Sequence, residues 1–316
     1  MICPSCRCTS CVNLGKRTSH ASISGYAPYV ADVFKFDRDV LQCDLCGLQY
    51  IYPMYDSDDF KLLYEGELYE RFKNNDCAAV NVNYQGFIAA DIKKFRLAGL
   101  GDYAESFERR HGKRAELLEV GCGEGWHMDA LGQIGFSVSG IDLNDKFIAN
   151  IEKRYGFPVE KKSLEELPAD GKYDAVAALH VIEHLASPGA LFEKAREILR
   201  PDGILIIETP FVTDFGKSEQ RFRDIYHTLF FTPFSLWYAA ARNGFAISAF
   251  SLWNYPDGET FNSNFVVVAK FDPLLAEVWT TARPPMINWV KPLFEGWQDG
   301  SAKWIRGHLS HQKGAP

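Results

Sequence analysis

An apolar run, Leu117-Leu118-Glu119-Val120, passes directly into Gly121-Cys122-Gly123-Glu124-Gly125 and then into a helical pattern beginning near Trp126. Few arrangements satisfy this order: a buried strand, a turn whose glycines let backbone approach a ligand, and a helix whose first N–H groups point to the same edge. Seventeen residues after Gly125 comes Asp142, in Ile141-Asp142-Leu143 at the end of a second apolar run. A carboxylate there can accept hydrogen bonds from both hydroxyls of a ribose. Short strands at Leu117–Val120, Ser137–Ile141, Tyr173–Leu179, Gly203–Glu208, Phe245–Leu252 and Phe265–Lys270 alternate with helices near Trp126–Ile134, Lys146–Tyr155, Gly189–Leu199 and Pro233–Asn243. This alternation predicts an α/β fold with a doubly wound, Rossmann-like sheet.

A glycine loop with a following acid serves dinucleotides and S-adenosylmethionine alike. The spacing here is G-x-G-x-G, and Glu119 lies two positions before the first glycine. A pyrophosphate would be repelled by that carboxylate, whereas a sulfonium and an amino group suit it. On these residues the sequence resembles the class I S-adenosylmethionine-dependent methyltransferases. LLEVGCGEG stands as the first motif, GIDLN as the second, Tyr173-Asp174-Ala175-Val176 through Glu183-His184-Leu185 as the fourth-strand motif, and Leu199-Arg200-Pro201-Asp202-Gly203 as the turn into the fifth strand. The likeness covers residues 116–270 and implies a seven-stranded, mostly parallel sheet. It further implies that Glu119, Gly121, Gly123 and Gly125 flank the methionine part of the cofactor and that Asp142 holds the ribose. Leu143, Ser163, Leu164 and Leu179 complete the expected pocket. Ser163 stands where family members carry an acid, so adenine contact is expected from a backbone N–H and Leu164. Trp126 and His127 follow the loop as pocket lining or as an ordinary helix start.

Six of the eight cysteines fall within the first 46 residues. Cys3-Pro4-Ser5-Cys6 and Cys43-Asp44-Leu45-Cys46-Gly47 are C-x-x-C knuckles, a spacing that brings two thiolates to one tetrahedral Zn²⁺. Cys8-Thr9-Ser10-Cys11 competes with the first pair; Cys3 and Cys6 are preferred because Pro4 preorganises the turn. The 36 residues from 7 to 42 exceed ordinary ribbon spacing and predict an inserted hairpin or loop. A ribbon with four thiolates leaves no open coordination position, so the expected ion is structural. The ribbon, a tyrosine-rich connector and the class I core together resemble a bacterial methyltransferase group found with sugar and secondary-metabolite pathways. That group includes zinc-containing enzymes acting on nucleotide-linked deoxysugars.

Methyl transfer needs an aligned nucleophile and, where it must lose a proton, a base. His180, Glu183 and His184 leave the fourth strand at its ligand-binding edge, and histidine titrates near neutrality. His180-Val181-Ile182-Glu183-His184 also spells the H-x-x-E-H of inverted zinc proteases. A preceding strand and the closely following Ser187-Pro188-Gly189 disfavour the long helix that such a protease requires. The stretch is similar to the E-x-x-E-H of metal-binding ubiquinone-pathway O-methyltransferases, with His180 in place of the first acid, which keeps metal assistance as a minor option. A second group, Asp224-Ile225-Tyr226-His227 before Phe230-Phe231-Thr232-Pro233, resembles the family loop over the acceptor pocket. The catalytic candidates are therefore His180, His184, Tyr226 and His227, with Tyr64, Tyr69 and Tyr84 as a lid or as core.

The formal charge of −7 and the absence of any block of five or six basic residues disfavour nucleic acid, and no apolar run reaches the ~18 residues of a membrane span. Met1-Ile2-Cys3-Pro4 lacks the basic-then-apolar layout of a signal peptide, so a cytoplasmic protein is expected. The expected parts are a ribbon module (1–52), a helical connector or lid (53–115), the core (116–270) and a helical tail (271–316). The expected activity is methyl transfer from S-adenosylmethionine to a small sugar-like, nucleotide-linked or secondary-metabolite acceptor. The alternatives are RNA or protein methylation with the ribbon as reader, or a non-catalytic scaffold.

Overall fold

Residues 1–17, 38–56, 58–60, 84–210, 226–254 and 263–281 are described by the structure, a computed structural model. Three strands come first: β1 (Cys11–Arg17), β2 (Arg38–Cys43) and β3 (Gln49–Tyr52). Helices α1 (Tyr84–Leu97) and α2 (Leu100–His111) precede β4 (Glu116–Val120), α3 (Trp126–Gln133), β5 (Ser137–Asp142), α4 (Asp145–Tyr155), β6 (Val159–Lys161) and β7 (Tyr173–Leu179). A 3₁₀ turn at Ile182–His184 then leads to α5 (Pro188–Ile198), β8 (Leu199–Pro210), β9 (Leu229–Phe230), α6 (Pro233–Arg242), β10 (Phe245–Asn254), β11 (Ser263–Phe271) and α7 (Pro273–Thr281).

Seven of these strands form one sheet in the order β10-β11-β8-β7-β4-β5-β6. Neighbours from β8 to β6 pair in parallel, while β11 is antiparallel to both β8 and β10. The strand alternation separates two cores. Leu118, Val120, Val176, Ala178, Leu205, Ile207 and Phe265 share one face with α5 and α6, and Leu117, Ala175, Ala177, Ile204, Ile206 and Val266 share the other with α1, α2 and α3. Strand order reverses at β4, which pairs with β5 on one side and β7 on the other. Crevices at such a reversal, beyond the carboxyl ends of the strands, are where these sheets bind ligands.

Within the expected helical connector α1 and α2 are separate, because Gly99 takes the left-handed conformation (φ 80°) between them and the chain restarts as α2. β6 spans three residues at the sheet edge, too short to show alternation in the sequence. A second sheet has the order β1-β2-β3-β9. Its fourth strand comes from far downstream: Gln49 pairs with Phe230 and Tyr50 with Leu229. The amino-terminal strands are thereby joined to the segment just before α6. In α7, Trp279 packs edge-on against Tyr238 of α6 with ring centroids 5.0 Å apart.

Tyr64 and Tyr69 lie outside the described residues, as do Cys77, Asp224, Ile225, Trp289, Trp297, Trp304 and the segment 307–316; of Tyr84 only the backbone is described. No helix among the described residues is long and apolar enough to cross a membrane.

Candidate active site

The glycine turn is held by its own backbone and by Asp142. Cys122 N–H donates to the Ile141 carbonyl at 3.1 Å, and Gly123 N–H donates to Asp142 Oδ2 at 2.8 Å. Asp142 Oδ1 accepts from Asn144 N–H at 2.9 Å, and the Asn144 side chain caps α4. Gly121 (φ 64°) and Gly125 (φ 81°) are left-handed, and a Cβ on them would stand 2.9 Å from Val181 Cγ2 and 2.7 Å from Ile151 Cγ1. Backbone conformation and space both demand glycine there. Leu143 is exposed next to Asp142, while Leu164 and Leu179 are buried. The Ser163 N–H expected to face adenine donates to Glu166 Oε2 at 2.7 Å in this structure.

Beneath the turn lies Glu119, 0% exposed, with no hydrogen bond to either carboxylate oxygen. The imidazole of His127 is its basic neighbour, with Nδ1 3.4 Å from Oε1. Burial raises the Glu119 carboxyl above its ordinary range, and His127 only partly offsets this. A buried carboxylate that accepts no hydrogen bond is costly, which makes the position suited to a cationic ligand.

His180, at the end of β7, has a left-handed backbone (φ 57°), a strained conformation for a residue with a Cβ. Nδ1 lies 3.3 Å from Glu183 Oε1 and Nε2 3.5 Å from Glu208 Oε1, so a carboxylate faces each ring nitrogen. Burial opposes the charged imidazole, but the two carboxylates prevail and hold its pKa up to about 10. Burial likewise opposes ionised Glu183, and His180 together with the charges of His184 and His227 brings it down to about 2. Carboxylates against both ring nitrogens thus favour the protonated imidazole at neutral pH, where the sequence reading expects a base.

The other candidates meet on the far side of Glu183. His184 Nδ1 lies 3.0 Å from the Tyr226 carbonyl, and the His184 and His227 ring centroids are 4.9 Å apart. Thr228 N–H donates to the Glu183 carbonyl at 2.9 Å, tying β9 to the 3₁₀ turn. His184 and His227 are both half-buried, and the Tyr226 side chain is buried.

Several participants escaped the sequence reading. Lys94 of α1, 0% exposed, reaches Asp91 at 2.7 Å and Glu208 at 2.6 Å. Glu208 also accepts from Asn264 Nδ2 at 3.2 Å, and Glu183 Oε2 accepts from Thr209 at 3.0 Å. A signal for Glu208 was present, a lone acid closing Ile204-Leu205-Ile206-Ile207. Asp91 and Lys94 give no such signal, because they resemble the polar residues of any amphipathic helix.

At the amino terminus Cys3, Cys6, Cys43 and Cys46 are buried, and their sulfurs all lie within 4.8 Å of one another. The two turns repeat one design. Cys3 N–H donates to the Cys8 carbonyl and Arg7 N–H to the Cys3 carbonyl; Cys43 N–H donates to Leu48 and Gly47 N–H to Cys43. Arg7 and Gly47, each following the second cysteine of its pair, both have positive φ. Cys8 and Cys11 are only half-buried and stand apart from the four-sulfur group.

Residues 91–250 match the family model described as "Methyltransferase domain". The chain belongs to that family. Among curated relatives of this methyltransferase-domain protein, a probable S-adenosylmethionine-dependent methyltransferase of Mycolicibacterium smegmatis is 30% identical over 115 residues, 36% of this chain and 45% of the relative. The ubiquinone biosynthesis O-methyltransferase of Caulobacter vibrioides is 32% identical over 100 residues, 29% of this chain and 40% of the relative. These matches span less than half the length of either relative. The crystal structure of Burkholderia thailandensis 1,6-didemethyltoxoflavin-N1-methyltransferase, with bound 1,6-didemethyltoxoflavin and S-adenosylhomocysteine, has a similar fold. Its TM-score is 0.51 at 16% identity, with 74% of this chain and 96% of that one covered.

Proposed function

We propose that this protein transfers a methyl group from S-adenosylmethionine to a small acceptor of sugar-like, nucleotide-linked or secondary-metabolite type. The observation that carries the cofactor is the buried Glu119 carboxylate, which accepts no hydrogen bond, below a turn whose Gly121 and Gly125 leave no room for a Cβ. When bound, S-adenosylmethionine supplies a methyl group activated by a positively charged sulfur. Glu119, Gly121, Gly123 and Gly125 would receive its methionine part and Asp142 the ribose, with Leu143, Ser163, Leu164 and Leu179 around the base.

His227 is assigned the role of base, since it is half-buried on the loop beside β9 and packs on His184. Hydrogen bonding of His184 Nδ1 to the Tyr226 carbonyl holds the His184 ring against it. His180, with both nitrogens against carboxylates, orients Glu183 and carries positive charge at the strand ends.

The four-cysteine group would hold a structural Zn²⁺. A tetrahedral ion with bonds of about 2.3 Å spaces its sulfurs roughly 3.8 Å apart. The Cys3–Cys46 and Cys6–Cys43 distances of 3.6 and 3.3 Å approach that spacing. Residues 1–52, 53–115, 116–270 and 271–316 remain the proposed parts. The β3–β9 ladder and the Ser187 hydroxyl, which donates to the Pro4 carbonyl at 3.0 Å, favour a ribbon that braces the core over one that reads a macromolecule.

Titration calorimetry with S-adenosylhomocysteine tests the cofactor. The wild type should bind, and Asp142→Ala should bind roughly tenfold to a hundredfold more weakly, as expected for losing charged hydrogen bonds. No binding by the wild type, or equal binding by the variant, removes the reading. Mass spectrometry of products from a panel of nucleotide sugars then tests the acceptor class.

A further inference from the structure

Strand β1 brings a fifth cysteine to the four-sulfur group. Cys11 and Cys43 are register partners in the antiparallel β1–β2 pair. One step along the ladder, Asp44 N–H donates to the Ser10 carbonyl at 3.2 Å, so Ser10 and Asp44 form a hydrogen-bonded pair and the neighbouring Cys11 and Cys43 a non-hydrogen-bonded one. Such pairs hold their Cα atoms about 4.5 Å apart with both side chains on one face, inside the roughly 4.4–6.8 Å that a disulfide spans. The Tyr50 hydroxyl lies among Cys3, Cys11 and Cys43, which puts Cys11 against the same buried cluster.

Exposure separates the thiols. Cys43 is buried with Cys3, Cys6 and Cys46, while Cys11 is half-buried and outside that group. A reagent arriving from solvent therefore meets Cys11 before any of the four. Cys8 is also half-buried, but residues 7–10 contain no turn or bend, and three extended steps carry the chain roughly 10 Å from the Cα of Cys8 to that of Cys11. That exceeds the limit of about 7 Å for a disulfide without backbone movement. Cys8 Sγ is directed to Ser10 instead, accepting from its N–H at 3.4 Å.

We propose that Cys11 is a redox modification site, oxidised by a peroxide and then joined to Cys43, which takes one sulfur away from the four-cysteine group. This rests on the structural-zinc reading above. First the Cys11 sulfur forms a bond to one peroxide oxygen, the O–O bond breaks, and the departing hydroxide takes the thiol proton and leaves as water. The Cys43 thiolate then attacks the Cys11 sulfur, the S–O bond breaks, and hydroxide leaves. The two sulfurs are oxidised to a disulfide, and the two peroxide oxygens are reduced to water and hydroxide. Cys3, Cys6 and Cys46 remain as three thiolates around an open position, a set that holds an ion less firmly than four. Because β2 carries Cys43 and pairs with β3, the modification falls within the sheet that ends at β9.

Hydrogen peroxide added to the zinc-loaded protein tests this. A chromogenic chelator should record the loss of about one zinc per chain, and non-reducing peptide mass spectrometry should find Cys11 linked to Cys43 at a mass lower by two hydrogens. Dithiothreitol should reverse the link and restore zinc binding. Cys11→Ser should keep its zinc under the same treatment, while Cys8→Ser should lose it as the wild type does. A link between Cys8 and Cys11, or between Cys6 and Cys43, in place of the Cys11–Cys43 link overturns the proposal and leaves the zinc reading standing. Equal zinc loss in Cys11→Ser and the wild type also overturns it. The wild-type peptide map decides the matter whether or not that variant folds. A purified protein that takes up no zinc removes the zinc reading and the proposal together.

Discussion

Histidine 180 shows how far a residue type and its setting can diverge. Its position at the end of β7 marked it as a base, yet Glu183 and Glu208 on its two nitrogens outweigh burial and keep it protonated. Its raised pKa makes the stability it contributes complete below its ordinary value of about 6.5 and lost as pH rises through about 10. Glu183, depressed to about 2, contributes above its ordinary 4.5, and that contribution is lost as pH falls through about 2. Urea denaturation should thus show greatest stability between these ranges, and the alkaline decline should be reduced in His180→Gln. For His227 the expectation concerns rate: His227→Ala should lower turnover by about 10²- to 10⁴-fold while S-adenosylhomocysteine affinity stays within twofold. Retained turnover would return the role of base to another residue.

At the scale of elements, the strand, turn and helix around Glu119 were legible because each depends on local chemistry. A short apolar run sets β4, left-handed glycines set the turn, and α3 follows. Gly125→Ala should therefore destabilise the protein by about 1–3 kcal/mol, through a left-handed backbone and an added methyl against Ile151, and weaken cofactor binding. Thermal melting and calorimetry measure the two effects. β9 was not legible: a two-residue strand carries no periodicity, and its partner β3 lies about 180 residues upstream. Nor was the break between α1 and α2, since a glycine within a helical pattern is tolerated as often as it interrupts.

Over the whole molecule, the sheet that begins beside the amino-terminal cysteines reaches the segment that carries His227. β3 pairs with β9, Ile51 N–H donates to the Thr228 carbonyl at 3.1 Å, and Thr228 N–H donates to the Glu183 carbonyl. Metal analysis should find one zinc per chain, lost in Cys46→Ser and retained in Cys8→Ser and Cys11→Ser. Removal of the ion by a chelator should increase hydrogen exchange at Tyr50, Ile51 and Leu229 as well as near the cysteines. Exchange confined to residues 1–17 would show that the ribbon does not support the loop of His227.

The sequence by itself determined the alternating sheet, the glycine turn with Asp142, and the preferred cysteine pairs, because periodicity, positive φ and C-x-x-C spacing are properties of neighbouring residues. Tertiary structure alone decided which charges meet. Asp91 and Lys94 share one turn of α1, but Glu119, Glu183 and Glu208 come from β4, the 3₁₀ turn and β8, and no spacing along the chain relates these four elements. Their protonation is set by burial and by partners across the fold, and both arise only when α1 closes over the sheet.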